Sequence, residues 1–562
     1  MKFSEMRYER ADFDAVAPRY EALIAQVKQA AGYPEARAAY DEIEALDVHV
    51  QTMASLTHVR YTINTEDSFY AAEREYYDEN GPRFEELSQH CRDALLHSPF
   101  RADFEKDFGA LMFTNMEMEN RTFKPEIIAD LQEENKLTTR YEKLLASAQI
   151  PFDGQTLTLP QLGPYERSTD RAVRKSAMEA RAGYFLENAD ALDKIFAELV
   201  RVRTRIAQTL GYQNFLPLAY DRMSRNSYTP QDVAAFRSGV RSDIVPLAQK
   251  IKEAQAQRLG LPRLELHDEP LFFPDGNAAP QGTPEEIFAA GKQMYHELSP
   301  ETAEFIDFML EGELLDVLSR KGKAGGGYCT VFSKYKSPFI FANFNGTSDD
   351  IDVLTHEAGH AFAFYLARDV YPAALAHPTN ESCEVHSMAM EFFTWPWMDR
   401  FFGEGTEKYR YFHLAGALTF LPYGAMVDEF QHHIYENPDW TPKQRNDCWL
   451  QLERVYRPWL RLEGVPFHSE GRRWQMQAHI YEVPFYYIDY CLAQCTALEL
   501  WTGTQGDFRA AWEKYLRFVG QCGKQTFSGL LAHAGLRSPF VPGALREAAQ
   551  TAERWLAENP AL

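Results

Sequence analysis

The run from Asp352 to Phe362, Asp-Val-Leu-Thr-His-Glu-Ala-Gly-His-Ala-Phe, places His356 and His360 four positions apart. Consecutive residues of an α-helix lie about 100° apart around its axis, so side chains at i and i+4 share one face. Two imidazoles that grip one ion at this spacing therefore require a helix. No other stretch of the chain constrains local structure and chemistry as strongly.

The residues around the motif are those of a buried helix with defined ends. Gly346, Thr347 and Ser348 offer an N-cap, and the aspartates that follow place negative charge in the first turn. Pro372 closes the region. Apolar residues flank the histidines: Val353, Leu354, Ala361 and Phe362.

Glu357 follows His356 directly and points to a chemical role for the motif. A carboxylate at this position reaches a metal-bound water without having to ligate the metal, which is the geometry of a general base. A metallohydrolase is therefore the leading hypothesis. The alternative is chance, because so short a motif also occurs in unrelated helices.

A catalytic zinc ion has three protein ligands and leaves one position for water, so a further ligand must lie downstream. The segment after the motif supplies five candidates: His377, Glu381, Glu384, His386 and Glu391. Thr379 or Asn380 can cap a helix that carries the last four. Spacing alone does not choose among them.

Two of these glutamates resemble zinc ligands of known families. Glu381, which follows an asparagine, resembles the third ligand of thermolysin-like peptidases. The stretch Glu384-Val-His-Ser-Met-Ala-Met-Glu391 resembles the Glu-x-x-Ser-x-x-x-Glu segment of the thimet oligopeptidase and oligoendopeptidase F family, in which the first glutamate binds zinc. We therefore expect Glu384 to be the ligand, with Glu381 as the alternative. Glu391, two turns further along, is interpreted as an ordinary ion pair, with a hydrogen bond to a zinc ligand as the alternative.

A second cluster, from His479 to Tyr490, combines one histidine with four tyrosines: Tyr481, Tyr486, Tyr487 and Tyr490. Such donors can stabilise the oxyanion that forms during peptide hydrolysis. The cluster is similar to a histidine-plus-tyrosines segment of the same family, which implies catalytic roles for His479, Tyr486 and Tyr490. The choice among Tyr486, Tyr487 and Tyr490 stays open. The alternative is a core helix whose hydroxyls bond to backbone.

Two short β-type runs, Tyr328 to Phe332 and Phe339 to Asn343, lie between a glycine loop, Gly325 to Gly327, and the motif helix. An edge strand next to the metal can pair with an extended peptide substrate, and we expect Phe339 to Asn343 to be that edge. The loop could let substrate approach, act as a hinge or be a plain connector. The expected substrate-binding residues are Gly326, Gly327, Phe339, Phe341, Ala342, Asn343 and Tyr487.

Composition limits the classes of protein that remain. The 562 residues, 45% of them hydrophobic, exceed one ordinary core. A formal charge of −23 disfavours nucleic-acid binding, which depends on neutralising phosphates. The N-terminus has no apolar leader, and the longest apolar stretch, Phe412 to Val427, is shorter than the roughly 20 residues of a membrane span.

The seven cysteines are scattered and include no CxxC pair, so neither a disulfide framework nor a cysteine zinc site is expected, and a reducing cytoplasm fits. Helical patterns run from about residue 10 to 147 with breaks near Pro34, Gly81-Pro82 and Pro99, and resume near Ser168. A hairpin is expected around Thr156 to Leu159, and Thr283 to Glu286 reads as a capping box.

Together these segments resemble an oligoendopeptidase F-like member of the thimet oligopeptidase family. The resemblance implies a mainly α, two-lobed zincin-type fold with a deep central cleft and a small sheet beside the motif helix. It implies an N-terminal helical domain over residues 1–200 and a catalytic domain over residues 201–562. One Zn²⁺ per chain, held by His356, His360 and Glu384, would serve hydrolysis of internal bonds in short peptides.

Two rival functions remain open, and the oligomeric state is not determined. The chain could be a zinc carboxypeptidase on a similar scaffold, or a noncatalytic peptide-binding protein.

A second acid-and-histidine group, from Asp428 to Glu436, is interpreted as packing, because His432 and His433 diverge by about 100° on a helix and cannot readily share an ion.

Overall fold

The computed structural model describes residues 1–344, 346–521 and 523–560. The fold is 71% helical, which confirms the mainly α class. The α-helices are, in chain order, α1 Phe13–Gln29, α2 Tyr33–Ile63, α3 Ser68–Leu96, α4 Arg101–Phe108, α5 Ala110–Arg121, α6 Ile128–Ala146, α7 Gly163–Glu166, α8 Arg171–Glu187, α9 Ala189–Leu210, α10 Phe215–Arg222, α11 Pro230–Gly239, α12 Val245–Arg258, α13 Pro284–Leu298, α14 Pro300–Glu311, α15 Asp349–Ala367, α16 Asn380–Phe393, α17 Asp399–Phe402, α18 Thr406–Glu436, α19 Pro442–Tyr456, α20 Pro466–Ser469, α21 Ala478–Glu482, α22 Tyr487–Thr504, α23 Phe508–Val519, α24 Phe527–Ala534 and α25 Arg546–Glu558.

The chain groups into two compact units, each built from three segments. The first unit contains Met1–Asn120, Ala279–Glu404 and Gly503–Leu536, and the second contains Arg121–Ala278, Gly405–Thr502 and the chain from Arg537 onward. Helix α9 continues across residue 200, the boundary that the family resemblance implies. The division into residues 1–200 and 201–562, like the cleft, stays a prediction.

Several helix starts follow the local sequence. Thr283 forms the expected capping box, in which its side chain accepts from the Glu286 backbone and the Glu286 side chain accepts from the Thr283 backbone. Asp170 caps α8 by accepting from the N–H groups of Ala172 and Val173. These caps satisfy backbone donors that a helix leaves unpaired in its first turn.

The break expected at Gly81-Pro82 is wrong, because α3 continues through Pro82. A proline inside a helix costs about 3 kcal/mol and removes one backbone hydrogen bond. Helix α3 packs along both α1 and α2, and its buried side chains on either side of the proline include Tyr77 and Leu87. Burial of those side chains outweighs the local cost. The breaks near Pro34 and Pro99 are confirmed.

Two small sheets accompany the helices. In the second unit, β1 (Ile150–Phe152) and β2 (Gln155–Leu157) form an antiparallel hairpin, close to the position expected from sequence. In the first unit, three strands lie in the order β3 (Leu315–Leu318), β5 (Ser337–Phe344), β4 (Tyr328–Phe332). Strand β5 pairs in parallel with β3 and antiparallel with β4.

The expectation that Phe339 to Asn343 forms a sheet edge is therefore wrong. These residues belong to β5, whose two sides are taken by β3 and β4, so its backbone groups are committed to neighbouring strands. Helix α15 packs against both β4 and β5. The sheet edge on this side of the motif helix belongs to β4.

Within the described residues, no helix is both long and apolar enough to cross a membrane. Six cysteines in that part of the chain are free thiols: Cys91, Cys329, Cys383, Cys448, Cys491 and Cys495. Cys522 lies outside the described residues. The sequence-based expectation of no disulfide framework thus agrees with the six described cysteines.

Candidate active site

Helix α15 carries the motif and begins where the sequence indicates. Ser348 occupies the N-cap position, and three aspartates lie in the first turn. The carboxylate of Asp350 accepts a hydrogen bond from the backbone N–H of Gly346 at 2.7 Å, which closes the turn into the helix. The rings of His356 and His360 lie on the same face, 5.0 Å apart between centroids.

Helix α16 begins at Asn380 and lies unusually close to α15. A Cβ atom built on Gly359 would lie 2.4 Å from the carbonyl oxygen of His386 and 2.6 Å from the Cα of Ser387. Real Cβ contacts are never that short, so only glycine fits at position 359. The close approach brings the acidic residues of α16 to the histidines of α15.

Glu384 is the residue of α16 that meets both histidines. Its Oε2 atom lies 3.5 Å from the Nε2 atom of His356 and 3.7 Å from that of His360. One ligand atom from each side chain falls within a group no more than 4.8 Å across, and no other such group of three exists among the described residues.

The donor set fits zinc. Two imidazoles and one carboxylate form a usual set for catalytic zinc, with a fourth position left for water. Zinc bonds of about 2.0–2.2 Å in a tetrahedral arrangement hold ligand atoms about 3.4 Å apart. The two distances to Glu384 lie close to that value, so small side-chain movements suffice to accommodate the ion.

Glu391 and Ser387 contact the candidate ligands His356 and Glu384. The Nδ1 atom of His356 donates a hydrogen bond to Oε1 of Glu391 at 2.6 Å. The hydroxyl of Ser387 lies 3.3 Å from Oε2 of Glu384 and 3.0 Å from its carbonyl oxygen. With a metal bound, the bond to Glu391 would select the tautomer of His356 whose Nε2 atom is available as a ligand. Glu391 is thus the hydrogen-bond partner of a candidate ligand, which was the alternative to an ordinary ion pair.

The buried carboxylates set the electrostatics of the site. Burial alone would lower the pKa of His356, but the hydrogen bonds with Glu384 and Glu391 raise it well above the usual value. Burial lowers the pKa of His360 to about 4. Burial, with the nearby Glu384 and Glu391, raises the pKa of Glu357 to about 7. The carboxyl groups of Glu357, Glu384 and Glu391 thus surround the two imidazoles, an arrangement that favours a cation.

Glu357 lies beside the glycine loop that precedes β4. A Cβ atom built on Gly327 would lie 3.9 Å from Oε1 of Glu357 and 3.4 Å from the carbonyl oxygen of Phe341. The end of this loop therefore passes directly by the candidate general base. Any side chain at position 327 would occupy space next to that carboxylate.

The other sequence candidates are not members of this group of three. Glu381 is buried, and its Oε1 atom accepts a hydrogen bond from the Thr379 hydroxyl at 2.7 Å. His386 is buried, its carbonyl oxygen accepts from the Tyr515 hydroxyl, and burial lowers its pKa to about 3. His377 packs on Phe364. Only Glu384 of the five candidates meets both histidines.

Asn343 and Phe341 have structural partners of their own. The amide of Asn343 donates to the carbonyl oxygens of Ala324 at 2.8 Å and Gly326 at 2.9 Å, and so holds the glycine loop. Phe341 stacks on Tyr328 and lies under the ammonium of Lys323. Phe339 and Ala342 are fully buried in β5. These four residues shape the loop and the sheet, and their contact with substrate stays a prediction.

In the second unit, the sequence-predicted donors form one aromatic cluster. The ring of His479 lies 5.8 Å from that of Tyr486, 4.9 Å from that of Tyr487 and 5.9 Å from that of Tyr490. The rings of Tyr486 and Tyr490 are 5.1 Å apart. All four residues are partly exposed. Tyr481 stands apart, since it is buried and stacks on Tyr141 and Trp474.

Two family models cover most of the chain. The model for the peptidase M3 N-terminal domain matches residues 3–123, and the model for peptidase family M3 matches residues 165–275 and 285–546. The chain belongs to peptidase family M3. The histidines, Glu384 and the aromatic cluster all lie within the second match, and the resemblance inferred from their motifs is confirmed.

Solved structures of similar proteins match over the whole chain. Pz peptidase A, solved with an inhibitor, is 46% identical with a TM-score of 0.94, and each chain is covered to 100%. A protein assigned as oligoendopeptidase F from Bacillus anthracis str. Ames is 42% identical with a TM-score of 0.89, over 99% of this chain and 98% of its own. Oligopeptidase PepF of Bacillus subtilis (strain 168) is 23% identical over 66% of this chain and 54% of its own. The chain spans about half the length of the curated relatives it matches.

Three supporting residues of this M3 family member are not among those predicted from the sequence. Gly359 permits the helix contact, Ser387 reaches Glu384, and Gln477 lies 2.8 Å from the Nδ1 atom of His479. The spacing of Ser387, three residues after Glu384, could have indicated its contact. Nothing in the sequence marks Gln477 or the close approach at Gly359.

Proposed function

We propose that this M3 family member is a zinc-dependent oligoendopeptidase that cleaves internal bonds of short peptides. The observation that carries the proposal is the meeting of His356, His360 and Glu384 with Glu357 on the adjacent position of the same helix. Two imidazole ligands, one carboxylate ligand and a further carboxylate that acts as general base are the components of a zinc peptidase site.

The residues of the chain have distinct tasks in this reaction. When bound, the zinc ion polarises the scissile carbonyl and makes a water acidic near pH 7. Glu357 accepts the proton of the attacking water and passes it to the leaving amine. Glu391 keeps the Nε2 atom of His356 directed at the ion through the bond to Nδ1.

The aromatic cluster supplies the remaining chemistry in this proposal. Negative charge grows on the carbonyl oxygen as water attacks, and donors aimed at that oxygen stabilise the transition state by a few kcal/mol. His479, Tyr486 and Tyr490 are partly exposed donors grouped on one surface of the second unit. Tyr487 lies within the same group and is proposed to contact substrate.

The proposed substrate is an extended peptide that pairs with β4. This strand is at the edge of its sheet, and the residue before it, Gly327, lies next to Glu357. Backbone hydrogen bonds to a strand edge do not depend on the side chains of the peptide, so peptides of many sequences can bind in this way. That property suits an enzyme that cleaves mixed short peptides. Pz peptidase A was solved with an inhibitor, and the curated relatives are oligopeptidases by name.

We further propose a cytoplasmic location, in keeping with the six described free thiols.

One experiment separates the candidate functions. Peptides of 5 to 15 residues, blocked at both termini, are digested with the purified protein, and the products are identified by mass spectrometry alongside metal analysis. Internal cleavage with about one zinc per chain is the expected result. Cleavage that requires a free C-terminus would indicate the carboxypeptidase, and a protein that binds peptide but holds no metal would indicate the noncatalytic alternative.

A further inference from the structure

Phe485 has a backbone conformation that its residue type does not favour. Its φ angle is +69°, in the left-handed region, and its ring is fully buried. An L-residue with a Cβ atom pays about 1–2 kcal/mol for that conformation. Such strain persists only where neighbouring groups enforce it. Phe485 directly precedes Tyr486 and Tyr487 of the aromatic cluster.

Both backbone hydrogen-bonding groups of Phe485 are held by side chains from elsewhere in the second unit. Its N–H donates to Oε1 of Gln431 at 2.9 Å, and its carbonyl oxygen accepts from Nη2 of Arg225 at 2.5 Å. The side-chain amide of Gln431 is itself anchored, since Nε2 donates to the carbonyl oxygen of Val427 at 3.2 Å. The ring of Phe485 packs on His432 and Tyr435.

Arg225 also reaches the first turn of α22. The same Nη2 atom donates to Oδ1 of Asp489 at 2.7 Å, and neither side chain is exposed. The two contacts of Arg225 therefore bracket Tyr486 and Tyr487 in sequence, and Asp489 adjoins Tyr490. The guanidinium stacks on the ring of Tyr220 at 4.4 Å, which limits its movement.

We propose that Arg225 and Gln431 are positioning residues for the aromatic cluster. By holding Phe485 in the left-handed conformation, they set the direction in which the chain enters α22 and hence where Tyr486 and Tyr490 point. Neither residue touches substrate, because both are buried. This inference rests on the donor role in the proposed function.

A purely structural role is the competing explanation, and the second unit offers a matched control. Arg174 is a buried arginine that also donates to a buried aspartate, Asp268, at 2.9 Å and to a backbone carbonyl oxygen, that of Ser168, at 2.7 Å. Its partners belong to a different part of the unit from the tyrosines. Arg174→Lys therefore removes a comparable interaction without touching the cluster.

The test compares steady-state cleavage of a blocked peptide by Arg225→Lys, Gln431→Leu and Arg174→Lys. The lysine side chain is one bond shorter than that of arginine, so its ammonium cannot occupy the position from which Nη2 of Arg225 contacts both partners. Leucine cannot accept from the Phe485 N–H. Displacing catalytic groups by about 1 Å costs about 10²-fold in rate. We expect kcat to fall 10-fold or more in the first two variants with KM within twofold and zinc content unchanged. In Arg174→Lys, kcat should stay within twofold at a similar loss of stability.

A double variant distinguishes positioning from general destabilisation. If Arg225 acts through the tyrosines, Arg225→Lys combined with Tyr490→Phe should be no slower than the slower single variant, because both changes remove the same interaction. Multiplying effects would overturn the proposal. Should Arg225→Lys not fold, Gln431→Leu, which removes no charge, provides the same comparison.

Failure of the donor role is recognised separately. If Tyr486→Phe, Tyr487→Phe and Tyr490→Phe all retain normal kcat, the donor role of the tyrosines is wrong and the positioning proposal falls with it. If the tyrosine variants are slow but Arg225→Lys and Gln431→Leu are normal, the donor role stands and only the positioning proposal is overturned.

Discussion

The Nδ1 atom of His356 donates a hydrogen bond to a carboxylate oxygen of Glu391 at 2.6 Å. Glu391 lies on the next α-helix, α16, two turns beyond Glu384. A histidine whose second nitrogen bonds to a carboxylate is fixed in both tautomer and orientation, and becomes a more basic ligand. The motif helix alone cannot provide that partner. Metal affinity is therefore expected to depend on a residue outside the ligand set.

Removing the Glu391 carboxylate should weaken zinc binding while all three proposed ligands stay in place. Partners of this kind contribute about 10–100-fold to metal affinity, so Glu391→Ala should lower zinc affinity by that factor in a chelator competition assay. Glu381→Ala is the control, because Glu381 is a buried acid of the same helix that accepts a hydrogen bond from the Thr379 hydroxyl. Equal losses in the two variants would contradict the role assigned to Glu391.

The general-base role of Glu357 predicts a specific loss of turnover. Glu357→Gln keeps the shape of the side chain but cannot accept the proton of the attacking water. Zinc content should be unchanged, and kcat should fall by roughly 10²-fold or more, the scale of general-base catalysis. Stopped assays on a blocked peptide with parallel metal analysis measure both. Near-normal turnover in this variant would rule out the assignment.

Gly359 should not tolerate even one added carbon. Alanine normally stabilises a helix interior by about 1 kcal/mol relative to glycine. At position 359, however, the new Cβ atom would meet the His386 carbonyl oxygen at 2.4 Å, so α15 and α16 must separate. We expect Gly359→Ala to lower both the thermal midpoint and zinc affinity.

Gly183 is the matched control for this change. It lies inside α8, and a Cβ atom there would meet nothing within 4 Å. Gly183→Ala should keep or slightly raise the thermal midpoint and leave zinc affinity unchanged. A neutral Gly359→Ala would show that the two helices are not held at the observed separation.

The glycine loop is expected to depend on the amide of Asn343. Its two N–H groups donate to the carbonyl oxygens of Ala324 and Gly326, and Asn343→Asp replaces both donors with acceptors. The loop end at Gly327, beside Glu357, should then shift. We expect kcat/KM to fall about 10-fold, since small displacements near the reacting centre are costly, with zinc content unchanged. Loss of zinc would instead indicate a wider structural role.

Asp268 predicts a pH-dependent contribution to stability. Burial alone would raise its pKa, but hydrogen bonds from Arg171, Arg174 and the backbone N–H of Glu265 lower the pKa from 3.8 to about 2. A carboxyl whose pKa is lower in the folded state stabilises the protein above pH 4 and loses that effect as the pH falls towards 2.

The corresponding variant is Asp268→Asn. At pH 7 it should lower the free energy of unfolding by at least about 2 kcal/mol, because the folded-state shift is lost and Arg174 keeps no buried counter-charge. The difference from the unaltered protein should shrink between pH 4 and pH 2, as followed by denaturant midpoints. A difference that is constant over that range would contradict the assigned ion pair.

How far the sequence leads depends on how local the interaction is. The motif helix, the capping box at Thr283 and the hairpin near Thr156 depend on residues a few positions apart, and all three are present. The helix through Pro82 was missed, because packing against α1 and α2 outweighs a local penalty. The position of β5 in the sheet was also missed, since it depends on β3, more than twenty residues upstream.

The sequence by itself determined that His356, Glu357 and His360 share a helix, because helical periodicity decides which side chains lie on one face. It also limited the third ligand to a few acids and histidines. Only the tertiary structure decided that Glu384 meets both histidines, that Glu391 supports His356 and that β4, not β5, is the sheet edge near Glu357. These outcomes depend on how closely α15, α16 and the sheet approach one another, and that separation is set by packing between elements that no local sequence pattern links.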